Sequence, residues 1–253
     1  MKKTAFITGA TSGIGKACAE KFAKNGYDLI ITGRRNNRLL ELKETFTALY
    51  NIEVTTLEFD VQSRHQVNDA IASLGAIKVD VLVNNAGLAL GRENFALAEI
   101  NDWDTMLQTN VQGLLYLSRA VLPFLKNSAH PHIINIGSIA GKQVYENGAV
   151  YCASKFAVDA LTQGMRIDLL KDGIKVTAVN PGATETEFSV VRFKGDEEKA
   201  AAVYQNFIPL TADDIADAVF YCASLPAHVC INELTIMPTA QANSINFHKT
   251  PAG

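Results

Sequence analysis

Tyr151 and Lys155 stand four residues apart in Tyr151-Cys152-Ala153-Ser154-Lys155, and Ser138 lies thirteen residues upstream of the tyrosine. On a helix that spacing places the two side chains one turn apart on the same face. An ammonium beside a phenol favours the ionised form, so the pair predicts a tyrosine that exchanges protons with an alcohol near neutral pH. Ser138 directly follows an apolar run, where its hydroxyl can donate to a carbonyl oxygen. The three side chains together suit redox chemistry on a carbonyl: Ser138 orients the oxygen, Tyr151 gives or takes its proton, and Lys155 lowers the phenol pKa while holding ribose hydroxyls. Asn110, in Thr109-Asn110-Val111, lies inside a helical pattern although Asn is a poor helix former. Two readings of it stay open: an amide that holds a water in a proton relay toward Lys155, or an amide bonded to a backbone carbonyl at a helix bend.

Proton exchange needs a hydride carrier to become oxidation or reduction, and the chain opens with a segment suited to one. Thr8-Gly9-Ala10-Thr11-Ser12-Gly13-Ile14-Gly15 follows an apolar strand pattern and precedes a helical one. In that context Gly9, Gly13 and Gly15 permit close backbone approach to a pyrophosphate, and Thr11, Ser12 and Ile14 complete the turn onto the helix N-terminus. About 20 residues further on, where an NAD site places an acidic residue, the chain reads Thr32-Gly33-Arg34-Arg35. Two guanidiniums with no acidic neighbour suit a ribose 2′-phosphate, which makes NADP the expected cofactor. Asp60-Val61 closes the third strand pattern, where the carboxylate can accept from an adenine amino group, and Asn84-Asn85-Ala86-Gly87 closes the fourth, under the cofactor.

These segments must be carried by a parallel sheet. Apolar runs of strand length at 4–8, 28–32, 53–59, 79–84, 132–137, 175–180 and 233–237 alternate with helical patterns at 13–25, 37–50, 64–74, 102–126, 150–171 and 212–225. The runs are continuously apolar, as strands covered on both faces require. The expectation is an α/β fold of Rossmann type, a doubly wound parallel sheet of seven strands with helices on both faces, in a single catalytic domain over residues 1–253. Residues 183–209 follow a Pro-Gly pair and carry Phe188, Phe193, Tyr204 and Phe207 without a clean period, the pattern of an insertion covering the site. Residues 239–253 read as a surface strap or a contact with another subunit.

Bulk properties narrow the partners. With 253 residues and 48% hydrophobic content the chain can bury a sizeable core. A net charge of −3 offers no general field for nucleic acid or an anionic membrane, and no apolar stretch approaches the roughly 20 residues of a bilayer span. A small-molecule partner and a cytoplasmic location are therefore expected. Cys18, Cys152, Cys222 and Cys230 have no paired spacing and read as buried free thiols; the five histidines show no metal-ligand spacing, so no metal is expected.

Taken together, Thr8 to Gly15, Asn84 to Gly87, Asn110, Ser138, Tyr151 with Lys155, and Pro181-Gly182 resemble the short-chain dehydrogenase/reductase family over essentially the whole chain. The resemblance implies a catalytic tetrad at Asn110, Ser138, Tyr151 and Lys155, and cofactor contacts from Gly9, Gly13, Ile14, Asp60, Asn85, Pro181 and Gly182. Nicotinamide contacts are implied for the run Pro181-Gly182-Ala183-Thr184-Glu185-Thr186, including Thr184 and Thr186, although it is shorter and more acidic than the family's usual run. Asn84 to Gly91, Asp102-Trp103, Arg119 to Pro123, Glu187 to Asp196 and Leu225 to Val229 look like the NADP-dependent 3-hydroxy acid dehydrogenases within that family. That likeness implies serine, allo-threonine, 3-hydroxyisobutyrate or malonic semialdehyde as substrate, and a homotetramer.

A substrate carboxylate needs a cation near the nicotinamide. Arg192 is the first candidate, Lys194 the second, and both also read as ordinary surface charges. Two alternatives remain: a broad NADP-dependent carbonyl reductase of neutral substrates, and a nucleotide-sensing interaction protein without turnover.

Overall fold

The computed structural model describes residues 2–250. All seven apolar runs become strands: β1 Thr4–Ile7, β2 Asp28–Gly33, β3 Val54–Glu58, β4 Val81–Asn84, β5 His132–Ile136, β6 Lys175–Pro181 and β7 Glu233–Ile236. They form one parallel sheet in the order β3-β2-β1-β4-β5-β6-β7. Strand order reverses between β1 and β4, and a crevice opens there beyond the carboxyl ends of the strands.

The unbroken apolar runs have a simple cause. Successive strand residues point to opposite faces, and both faces are covered. Ala5, Ile7, Leu29, Ile31, Val81 and Val83 pack with Phe22, Leu39, Phe46 and Ile215 from α1 (Gly13–Lys24), α2 (Asn36–Tyr50) and α9 (Ala212–Ser224). Phe6, Ile30, Leu82 and Ile133, one position out of phase, pack with Val67, Ile71, Leu117 and Val121 from α3 (Arg64–Ala72) and α5 (Leu114–Leu125). Full burial of each such side chain stabilises by about 1.5–3 kcal/mol.

The stretch expected as one helix over 102–126 is divided. α4 (Ile100–Leu107) passes through a π-turn at Gln108–Gly113 before α5 begins. Gly113 lets the end of this turn pack closely on the loop after β3: a Cβ there would lie 2.9 Å from Val61. Beneath the sheet, the Asn84 amide donates to Ser118 Oγ and Asn135 Oδ1 at 2.8 Å, and the Asn135 amide donates to Thr162 Oγ1 at 2.8 Å. This buried chain ties β4 and β5 to α5 and α6 (Ala149–Asp168), the helix that carries Tyr151 and Lys155.

Residues 183–209 hold two short helices, α7 (Glu187–Arg192) and α8 (Glu197–Ala202). Within the tail, Gln241 Oε1 accepts from the Ala183 N–H at 2.8 Å, Thr250 N–H donates to the Asn206 carbonyl at 2.9 Å, and Phe247 packs on Phe207. The tail thus straps the 183–209 segment; its last residues, 251–253, lie outside the described part. Cys18, Cys152 and Cys222 are buried free thiols, whereas Cys230 is exposed in the loop before β7 and departs from the expectation. Among the described residues, no helix is long and apolar enough to cross a membrane.

Candidate active site

A cleft of about 1130 Å³ lies along the carboxyl ends of the strands. The glycine-turn, strand-end and catalytic residues singled out in the sequence line it, except Thr8, Ala10, Gly15, Asn84 and Asn110.

At one end, β1 gives way to the turn that starts α1 at Gly13. Gly9 and Gly13 take φ of +62° and +51°, backbone that L side chains rarely adopt. A side chain at Gly15 would overlap the Gly9 carbonyl and the Asn85 amide. Asn85 fastens this turn to β4: its amide donates to the Thr8 carbonyl at 2.8 Å, while Thr8 Oγ1 accepts from the Asn85 and Ala86 N–H groups at 2.9 and 2.8 Å. The result is a backbone cradle at a helix N-terminus, which fits a dinucleotide pyrophosphate.

Arg34 and Arg35 stand at the end of β2 as expected, but they are not free of acidic neighbours. Arg35 donates to Thr11 Oγ1 and Ser12 Oγ at 2.8 Å, and to Glu187 Oε2 at 2.9 Å. Arg38, one turn into α2, donates to Glu187 Oε1 at 2.7 Å. Arg34 faces Asp60 at 3.6 Å. The sequence reading that no carboxylate lies in this pocket is therefore corrected: Glu187 reaches it from the far side of the cleft. Partial burial raises the Glu187 pKa, but the bonds from Arg35 and Arg38 dominate and hold it at about 2. Arg38 was missed as well, although its place three residues after Arg35 on a helix is visible in the sequence.

At the other end, Ser138 leaves β5 and caps a short turn, its Oγ accepting from the Ala140 N–H at 3.0 Å. Tyr151, in the first turn of α6, is buried against Phe188 with ring centroids 5.7 Å apart. Burial pushes the phenol pKa well up and Tyr145 adds to it, while the Ser138 hydroxyl and the Arg192 guanidinium pull it down. Lys155 follows one turn later, also buried, and donates from Nζ to the Ile136 carbonyl at 2.8 Å. Loss of hydration lowers its pKa to about 8. Arg192 is thus a second cation near the phenol, and the end of β5 holds the Lys155 ammonium by one of its three hydrogens.

Asn110 sits in the π-turn with its amide fully engaged. Oδ1 accepts from the Leu88 N–H at 2.8 Å, and Nδ2 donates to the Leu88 carbonyl at 2.8 Å and to Ser154 Oγ at 3.0 Å. Both amide hydrogens are used, and the side chain clamps the loop after β4 to α6. The second reading, an amide bonded to backbone at a helix bend, matches this geometry.

Pro181 ends β6 and Gly182 follows it, where a Cβ would lie 2.6 Å from Gln241 Oε1. Thr186 caps α7, and the Thr184 carbonyl accepts from Tyr204 at 2.9 Å. At the far end of α7, Arg192 is only 9% exposed. Its Nε donates to the Gly91 carbonyl at 3.2 Å and one terminal nitrogen to the Tyr145 hydroxyl at 3.0 Å, while the other, Nη2, is buried without a partner. Lys194, the second candidate, is taken by Asp102 at 2.8 Å. Tyr145, between Arg192 and Tyr151, was not singled out in the sequence, where a tyrosine six residues before the catalytic pair carries no signal. Among the described residues, no group of three or more His, Cys, Asp or Glu side chains is placed to hold a metal.

The sequence profile of the short chain dehydrogenases matches residues 3–197, most of the chain. The chain belongs to that family. Similar members include the NADP-dependent 3-hydroxy acid dehydrogenase YdfG of Salmonella typhi, 46% identical over 239 residues that cover 93% of this chain and 95% of that protein. A sulfoacetaldehyde reductase of Chromohalobacter salexigens is 44% identical, covering 96% of both chains. Among solved members of the family, a closed form of serine dehydrogenase complexed with NADP⁺ superposes with a TM-score of 0.90 at 44% identity, covering 98% of this chain and 100% of that one.

Proposed function

We propose that this protein is an NADP-dependent oxidoreductase acting on a short 3-hydroxy acid or its oxo form, such as serine, allo-threonine, 3-hydroxyisobutyrate or malonic semialdehyde. One observation carries the substrate class: Arg192 is a buried cation with an unpartnered Nη2 beside Tyr151. A buried unmade donor on a charged group is costly, and a substrate acid group satisfies it. Relatives whose printed substrates are hydroxy acids and sulfoacetaldehyde, all acid-bearing, support the same reading. A neutral carbonyl substrate gives the guanidinium an acceptor but no charge to pair with.

When bound, the nicotinamide of NADP supplies or accepts the hydride. The turn of Gly9, Thr11, Ser12, Gly13, Ile14 and Gly15 holds the pyrophosphate, Arg34 and Arg35 the 2′-phosphate, and Asp60 with Val61 the adenine. Asn85, Ala86 and Gly87 back the cofactor, while Pro181, Gly182, Thr184 and Thr186 flank the nicotinamide. Ser138 orients the substrate oxygen, Tyr151 exchanges its proton, and Lys155 holds ribose hydroxyls close to the phenol. Asn110 keeps the loop after β4 in register with α6.

Steady-state oxidation of L-serine and 3-hydroxyisobutyrate, with NADP and with NAD, tests this assignment. The expected result is NADP preference and a kcat/KM for the acids about 10- to 100-fold above that for their neutral methyl esters, the worth of one charge-assisted contact. Equal values for acid and ester sink the acid reading. Cytoplasmic residence and a homotetramer belong to the same proposal, supported by family likeness and by the apolar side chains Leu115, Phe156 and Ile167 left exposed on α5 and α6. Light scattering giving a mass near four chains is expected; a monomer refutes the tetramer.

A further inference from the structure

We propose that the Arg192 charge acts on proton exchange at Tyr151 as well as anchoring the substrate's acid group, so that the charge of the bound substrate shifts how readily the phenol ionises. The inference rests on the proposed reading of Arg192 as the acid anchor and adds a second role to it.

Geometry makes the case. The Arg192 guanidinium carbon lies 5.6 Å from the Tyr151 ring centroid and 5.5 Å from that of Tyr145. It is fixed there by the Gly91 carbonyl and the Tyr145 hydroxyl, two neutral acceptors. Among the described residues no carboxylate pairs with it: Glu187 is held by Arg35 and Arg38, and Asp102 by Lys194. The charge is therefore uncompensated in a buried place, where screening by water is weak and its field acts strongly on neighbours a few ångström away.

The groups that bear on the phenol are few. Tyr145 and Cys152 disfavour the phenolate, while Ser138 and Arg192 favour it. Phe188 supplies an apolar wall. Lys155, on the next turn of α6, gives one hydrogen to the Ile136 carbonyl and keeps its charge and two further donors on the cofactor side whatever substrate is bound. Arg92 reaches only the Tyr145 ring, at 5.9 Å.

The sign follows directly. A positive charge stabilises phenolate, so Arg192 keeps oxidation running to lower pH, because oxidation begins when the phenolate takes the alcohol proton. A carboxylate docked on Arg192 cancels that charge, and phenolate then forms only at higher pH. A neutral ester of the same skeleton leaves the charge intact. The enzyme thus oxidises acid and ester with different pH dependence although the same phenol serves both.

The experiment compares kcat against pH for 3-hydroxyisobutyrate and its methyl ester at saturating NADP, in the wild type and in Arg192→Gln and Arg192→Lys. In the wild type, the acid limb is expected about one pH unit higher for the acid than for the ester. In Arg192→Gln the ester's limb rises by about the same amount, while Arg192→Lys keeps it near the wild-type position. Coincident wild-type limbs overturn the inference without recourse to any variant. A raised KM for the acid in Arg192→Gln with an unmoved ester limb leaves Arg192 as anchor only, and the inference fails while the reading stands. A moved ester limb with unchanged acid KM shows that Arg192 acts on the phenol but binds no acid, and overturns both the anchor and the coupling to substrate charge. Ultraviolet titration of the NADP complex, with Tyr151→Phe as the blank, supplies an arm without turnover: isobutyrate is expected to raise the Tyr151 midpoint, and no change refutes the coupling.

Discussion

Tyr151→Phe is expected to lower kcat by about 10³-fold in both directions, the scale of a positioned acid or base, with NADP binding altered less than about threefold. Removal of one oxygen leaves the ring packed on Phe188 and beneath the Arg192 guanidinium, so packing of the site survives. Only the proton exchange is lost. Burial keeps the wild-type phenol protonated at neutral pH. Carbonyl reduction then has its acid ready, and oxidation climbs with pH as the phenolate forms. That climb is expected to vanish in the phenylalanine variant. Stopped-flow measurement of NADPH formation, paired with fluorescence titration of the cofactor, separates these effects. A variant that retains a tenth of the wild-type rate removes Tyr151 from the proton step.

The sheet was legible because its physics is local. The five inner strands bury both faces and therefore write apolar runs, whereas the edge strands β3 and β7 are half-exposed and more polar; the glycine turn announces itself by residues whose missing Cβ the backbone requires. The π-turn at Gln108–Gly113 was not legible, because one extra residue in a turn hardly disturbs a helical hydrophobic pattern. Asn110 was noticed for its poor helix propensity, yet its partners Leu88 and Ser154 come from other elements and decide its role. The same limit explains Lys155. Four-residue spacing fixes which face of α6 it shares with Tyr151, but not that a strand-end carbonyl engages the ammonium. Arg192 was found by asking what an acid substrate lacks, and its distance from Tyr151 is a purely tertiary fact.

Glu187 illustrates that limit most sharply, 152 residues from the arginine it pairs with, and it makes the cofactor pocket testable. Arg35→Ala is expected to weaken NADP binding about 100-fold and NAD binding less than about threefold, since charge-assisted bonds to a 2′-phosphate are lost only where that phosphate exists. The variant also strips Glu187 of one of its two guanidinium partners, leaving Arg38 alone to offset a carboxylate close to the arriving phosphate. Like charges at that range repel, so part of the loss comes from Glu187 rather than from the missing bonds. Glu187→Gln removes the repulsion and the competition for Arg35 together, and is expected to tighten NADP about three- to tenfold with NAD unchanged. In the Arg35→Ala background the same substitution gains more, because the carboxylate is then less compensated. Fluorescence titration with NADPH and NADH across the four proteins measures the coupling. Equal losses for both cofactors in Arg35→Ala refute the 2′-phosphate assignment, whereas weaker NADP binding in Glu187→Gln means that the carboxylate orders Arg35 for the phosphate instead of competing with it.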